Sequence, residues 1–167
     1  YPKGLIDRNA VGVLLSEISI GGVEVLPLTG ISQASVLMCR GGDLEWQVFS
    51  SDQYGFPNPP EIWAAPAVPM AALGDSHVQG WCVPPGQSFM GMTRENFPGT
   101  INVGTAGNGP ITNLATLREY ISPLRPQTVL WMHTGANDLS DLDRESNTPV
   151  LMGYLDHDYS QNLANLQ

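Results

Sequence analysis

From Met70 onward the chain repeats one device three times, and this repetition restricts its fold more than any other feature. A short apolar run ends in a turn rich in Gly, Asn and Asp. Residues 70–73 stop at Gly74-Asp75-Ser76, residues 100–103 at Gly104-Thr105-Ala106-Gly107-Asn108-Gly109-Pro110, and residues 128–133 at Thr134-Gly135-Ala136-Asn137-Asp138. Helix candidates lie between the runs. One covers residues 88–96, after the break at Pro84-Pro85-Gly86. The clearer one places Ile111, Leu114, Leu117, Ile121 and Leu124 near one face, with Arg118 and Glu119 turned away, and closes at Pro123 and Pro126. Strand and helix alternating through short connections predict right-handed crossovers, a parallel sheet and a three-layer α/β/α sandwich. The unbroken apolar run 128–133 reads as a buried parallel strand.

Residues 1–69 have a different grammar. Apolar positions at Leu5, Ile6, Val11, Val13, Leu14 and Leu15 are followed by Ile18, Ile20, Val23 and Val25 around Gly21-Gly22, which predicts a hairpin with a two-glycine turn. A second hairpin is predicted from residues 35–39 and 44–49, joined through Arg40-Gly41-Gly42-Asp43. Pro57, Pro59, Pro60 and Pro66 then forbid a regular helix or central strand, so the division falls here: a β-rich N-terminal segment with a Pro-rich loop, 1–69, and an α/β domain, 70–167. Tyr54, Phe56 and Trp63 are expected to pin that loop to the body. Residues 138–145 read as an acidic loop, and 150–167 as helical stretches carrying Leu151, Leu155, Leu163 and Leu166.

Composition bears on partners. With 7 basic against 16 acidic residues, a formal charge of -9, the chain is unsuited to nucleic acid or an anionic membrane surface; uncharged or cationic partners fit better. No stretch approaches the roughly 20 apolar residues of a membrane span, so no transmembrane segment is expected. No secretory leader pattern opens the chain, but it starts at Tyr1-Pro2, so that absence carries no weight. Cys39 and Cys82 stand far apart, outside any Cys/His cluster of zinc-ligand spacing, so no metal or other cofactor is expected. They read either as a disulfide tying the two parts together, which would suit a periplasmic or extracellular protein, or as two small buried hydrophobes.

Parallel strands end at one edge of their sheet, which brings the loops 74–77, 104–109 and 135–138 together. Acyl transfer needs a nucleophilic hydroxyl and several preorganised donors about 3 Å from the developing oxyanion. The three loops supply those parts. These residues resemble the SGNH hydrolases, the GDSL esterases and lipases: Gly74-Asp75-Ser76 matches their first block, the turn from Asn102 to Gly107 the second, and Gly135-Ala136-Asn137-Asp138 the third. The likeness covers residues 70 to about 139. It implies a flavodoxin-like sandwich, Ser76 as nucleophile, and an oxyanion hole made by the N–H groups of Ser76 and Gly107 and the side chain of Asn137, with Gly104 the next choice in the second block. Asp75, His77 and Asp138 are supporting positions. The run 107–120 and the upstream segment 51–59 also look like a bacterial subgroup of this family.

The chain departs from the family at the general base, a His three residues after an Asp near the C-terminus. Its histidines are His77, His133 and His157, and none stands in Asp-x-x-His. His77 reads as solvent-facing or locally bonded, His133 as a core or site-wall residue, and His157, in Asp156-His157-Asp158, as part of a solvated turn. The family sheet has about five strands, whereas three are legible here, so the chain reads as lacking its C-terminal third. Two functions follow from the resemblance. One is a serine esterase acting on acyl or O-acetyl esters, including those of carbohydrate, through an acyl-enzyme at Ser76 with the base outside these residues. The other is a catalytically incomplete, hydrolase-like module in a larger assembly, its open sheet edge covered by a protein partner.

Overall fold

In this computed structural model the described residues are 6–7, 17–40 and 46–166. The N-terminal part holds β1 (Ile6–Asp7), β2 (Ile18–Ile20), β3 (Val23–Val25), β4 (Ser35–Arg40) and β5 (Trp46–Ser50). Strands β2 and β3 form the expected hairpin, with Ile18 opposite Val25 and Ile20 opposite Val23. Gly21 and Gly22, at φ +58° and +86°, supply the two positive φ angles of its turn. Strand β4 pairs antiparallel with β5 and parallel with β1. The turn expected at 41–43 lies outside the described residues, as do Leu5 and 11–15.

The Pro-rich loop is ordered by a single carboxylate. Asp52, almost wholly buried, accepts from the Tyr54 and Phe56 N–H groups, both at 2.9 Å, from Asn58 Nδ2 at 2.8 Å and from Trp63 Nε1 at 2.7 Å. Those bonds turn the aromatic side chains inward. Tyr54 and Phe56 both pack on Tyr120, with ring centroids 5.2 and 5.3 Å apart, so the loop is pinned to the body as expected.

The second part is mixed α/β around a three-stranded parallel sheet, in which β6 (Met70–Leu73) lies between β7 (Ile101–Asn102) and β8 (Thr128–Trp131). Helix α1 (Ser76–Gln79) leaves the end of β6. Helix α2 (Phe89–Asn96) starts at Ser88, whose Oγ accepts from the Gly91 N–H at 3.0 Å. Helix α3 (Pro110–Thr116) widens into a π-turn over Leu117–Ile121 and tightens at Ser122–Leu124, and α4 (Asp138–Ser146) and α5 (Pro149–Gly153) follow. The main apolar cluster crosses residue 69, joining Val25, Leu26, Leu28 and Phe56 to Leu73, Ile101, Ile121, Leu151 and Tyr154. No described helix is long and apolar enough to cross a membrane.

Three expectations are corrected. First, the 128–133 run is not a buried strand: Val129 and Trp131 on β8 are 42% and 41% exposed, and among the described residues β8 is an edge of its sheet, with a strand only on its β6 side. Second, Glu119 does not turn away. It is buried and accepts from Tyr154 OH at 2.6 Å, Ser160 Oγ at 2.8 Å, and the Gln161 and Leu163 N–H groups at 2.7 and 2.8 Å. The π-turn rotates residues after Thr116 away from the simple 3.6-residue phase that placed Glu119 outside. Third, the acidic stretch 138–145 is a helix. Asp138 and Asp141 occupy its first turn, where the helix dipole favours negative charge. Glu145 anchors its last turn in the interior, accepting from the Gly109 and Ile111 N–H groups at 2.7 and 2.8 Å and from Thr112 Oγ1.

Candidate active site

Ser76 is the first residue of α1, at the end of the buried strand β6. Asp75 precedes it as the helix cap, its Oδ1 accepting from the His77 N–H at 2.9 Å. That cap fixes the turn and leaves the Ser76 side chain half-exposed, on a cavity of about 220 Å3 bounded by His77, Gly80, Trp81, Val83 and Phe89. Ser76 Oγ makes no hydrogen bond to a described residue. Its N–H and that of Gly107 likewise donate to none.

The three expected loops are joined by one chain of polar contacts. His77 Nδ1 lies 3.1 Å from Asp75 Oδ1, and Asn137 Nδ2 donates to Asp75 Oδ2 at 3.2 Å and to Asp141 Oδ2 at 2.9 Å. Arg144 Nη2 pairs with Asp141 Oδ1 at 3.1 Å and donates to the Gly107 carbonyl at 2.7 Å. Asp75 on the first loop, Gly107 on the second and Asn137 on the third are thus linked through Asp141 and Arg144. The sequence reading did not single out those two residues. Asn137, Asp141 and Arg144 are spaced by four and three, the helical spacing that puts side chains on one face. Reading 138–145 as a loop hid that signal.

Burial alone would push the Asp75 carboxyl up. The hydrogen bonds it receives from the His77 N–H, the His77 ring, Asn137 and Thr134 outweigh that and hold it below its ordinary value, so it is an anion in the folded protein. Asp138 is buried as well; its Oδ2 accepts from the Thr134 N–H at 2.8 Å and contacts His133 Nδ1, closing the third loop on itself. His133 is 60% exposed along its side chain, outside the core, and His157 sits in solvent beside Asp158. Each histidine therefore faces a carboxylate through Nδ1, and none bonds to Ser76 Oγ.

Gly104 and Gly107 have different surroundings. The Gly104 N–H already donates to Asn102 Oδ1 at 2.9 Å, and a Cβ at 104 would lie 2.6 Å from the Gln79 nitrogen, so this glycine serves the close approach of β7 to α1. Gly107, at φ +86°, turns the loop with its N–H open. No described group of three or more His, Cys, Asp or Glu is arranged to hold a metal ion. Cys39 and Cys82 form a disulfide across Cα atoms 5.6 Å apart, linking β4 to the loop after α1. No family model, curated protein or solved structure matches this chain.

Proposed function

We propose that this chain carries the nucleophile and oxyanion-binding part of a serine ester hydrolase of the SGNH type, built on a flavodoxin-like α/β/α sandwich. The observation that carries the reading is the polar chain from Asp75 through Asn137, Asp141 and Arg144 to Gly107, which ties the three loops into one unit around Ser76. Ser76 Oγ would attack the carbonyl carbon of an acyl or O-acetyl ester. The carbonyl oxygen would take the negative charge against the Ser76 and Gly107 N–H groups and the Asn137 amide. Collapse of that intermediate expels the alcohol and leaves an acyl-enzyme, which water then hydrolyses. Both Asn137 Nδ2 hydrogens are directed at carboxylates, so the longer bond, to Asp75, is the one exchanged when an oxyanion arrives. The base that takes the Ser76 proton lies outside these residues. The disulfide fits an exported protein.

A second reading is a hydrolase-like module in a larger assembly. The exposed apolar edge of β8 favours it, as does the absence of a bond from any described histidine to Ser76 Oγ. Hydrolysis of p-nitrophenyl acetate by the full-length protein separates the two. The hydrolase reading expects Ser76→Ala to lower kcat/KM by roughly 10³-fold or more, since a nucleophile acts as a unit with its base. An unchanged rate would overturn the assignment of Ser76.

A further inference from the structure

Helix α2 carries Met90 and Arg94 four residues apart, a spacing that puts both side chains on one face. Met90 is buried, and Arg94 on the same side is half-buried. A charge withdrawn from water in this way is ordinarily matched by an opposite one. None of the described ion pairs includes Arg94. Its Nε donates to the Thr100 carbonyl at 2.9 Å and its Nη2 to Asn58 Oδ1, and both acceptors are neutral. Asp52 acts on Arg94 from beyond Asn58, whose Nδ2 donates to that carboxylate while its Oδ1 accepts from the guanidinium. Burial pushes the Arg94 pKa below its ordinary value and Asp52 opposes the shift; the group remains a cation.

Arg94 lines a cleft of about 370 Å3 between the N-terminal sheet and the α/β body, within the size range of small-molecule sites. Val48 and Phe49 of β5, Pro57 of the pinned loop and Val83 of the body give it apolar walls. The Cys39–Cys82 disulfide holds those walls at a fixed spacing, since Met38 and Val83, the neighbours of its two cysteines, line opposite sides. A guanidinium has five N–H donors, and the two described bonds leave both on Nη1 and one on Nη2 unused. A carboxylate takes two such donors side by side. The bonds to Thr100 and Asn58 already hold the side chain in place, so little rotamer freedom is left to lose on binding. Gly80 and Ser88 pack tightly between this cleft and the cavity at Ser76: a Cβ at Gly80 would lie 2.8 Å from the Ser88 Cβ. The two cavities are therefore separate.

We propose that this cleft is a second ligand site, distinct from Ser76, that takes a small monocarboxylate, its carboxylate on Arg94 and its apolar body against Val48, Phe49 and Pro57. The formal charge of -9 makes the chain as a whole a poor anion binder. That repulsion is long-range and is screened beyond about 8 Å at physiological salt, whereas a contact pair inside the cleft is screened much less. A neutral amide of the same shape meets the same walls without the charge, so the guanidinium makes the site selective. The site stands independently of the hydrolase reading and is measured without ester turnover.

Isothermal titration of the full-length protein with benzoate and with benzamide tests it, in wild type, Arg94→Met and Val48→Trp. The first variant removes the charge. The second fills the cleft while leaving the Arg94 bonds to Thr100 and Asn58 in place, and it decides the matter where loss of those bonds unfolds Arg94→Met. Wild type is expected to bind benzoate at least tenfold more tightly than benzamide, and each folded variant to bind benzoate at least tenfold more weakly than wild type does. Nuclear Overhauser contacts from the benzoate ring to the Phe49 ring, recorded on wild type, are expected as well and need no variant. No benzoate binding, a preference over benzamide of less than tenfold, a folded variant weakened by less than tenfold, or absence of the Phe49 contacts overturns the proposal.

Discussion

Two sets of buried carboxylates divide this molecule. Asp52, Glu119 and Glu145 lie away from Ser76, and each is held by three or four donors, at least two of them main-chain N–H groups of a loop or helix start. Asp75 and Asp141, beside Ser76, take one main-chain N–H between them, from His77 to Asp75, and are otherwise held by side chains: the His77 ring and Asn137 for the first, Asn137 and Arg144 for the second. A main-chain donor is fixed by the fold and cannot leave without unfolding its segment. A side-chain donor can rotate to another acceptor. The first set therefore acts as staples, whereas the second keeps donors in place that a reacting group can borrow.

Removing a staple should have the largest effect. Glu119→Ala would leave Tyr154 OH, Ser160 Oγ and the N–H groups of Gln161 and Leu163 without their acceptor, two of these donors in the interior. Stranding buried donors costs about 1–3 kcal/mol each, so a loss on the order of 3 kcal/mol is expected, seen as a fall in Tm of roughly 6–12 °C. Glu119→Gln, which keeps one acceptor oxygen, should lose less. A Tm within 2 °C of wild type for the Ala variant would end the distinction between the two sets, since Glu119 would then be no more structural than Asp75.

Asn137→Ala should show the opposite balance. Asp75 keeps its bonds from His77 and Asp141 keeps Arg144, so stability should fall by only about 1 kcal/mol. Loss of one oxyanion donor, in contrast, typically lowers kcat by about 10²- to 10³-fold. Ester turnover and urea denaturation measured on the same preparation would separate these effects. Equal losses in activity and stability would place Asn137 among the staples.

The two sets also differ in how far the sequence discloses them. The three turns at Gly74-Asp75-Ser76, Gly107 and Asn137 were legible because Gly, Asn and Asp after an apolar run are local signals, and parallel strands converge by geometry alone. The hairpin at Gly21-Gly22 and the Ser88 start of α2 were legible for the same local reason. Glu119 and Glu145 were not. Their donors at Leu163 and Gly109 lie 44 and 36 residues away, and a carboxylate in a periodic segment carries no mark of a distant partner. Strand order was hidden in the same way: Thr128-Val-Leu-Trp131 has the composition of a central strand, yet among the described residues β8 has β6 beside it and no further strand, and Val129 and Trp131 are exposed. Local chemistry announces the candidate site, while the contacts that hold it in place are long-range.

The smallest predicted effect belongs to Asp75 and is read through pH. Its folded-state pKa lies below that of an ordinary carboxyl, because the bonds from His77, Asn137 and Thr134 outweigh burial. A lowered folded value means that the unfolded chain binds the proton first as pH falls. The stabilisation is then complete above the unfolded pKa of about 4, and it is lost as pH drops from there through the folded value. Asp75→Asn removes this contribution at every pH while leaving an oxygen to accept from the His77 N–H. The difference in urea midpoint between wild type and Asp75→Asn should therefore be constant from pH 7 to about 5 and should narrow below about 4. A difference that stays flat to pH 3 would mean that Asp75 is not held as an anion by its neighbours. The contrast between fixed staples and exchangeable donors would then lose its electrostatic basis at the residue next to Ser76.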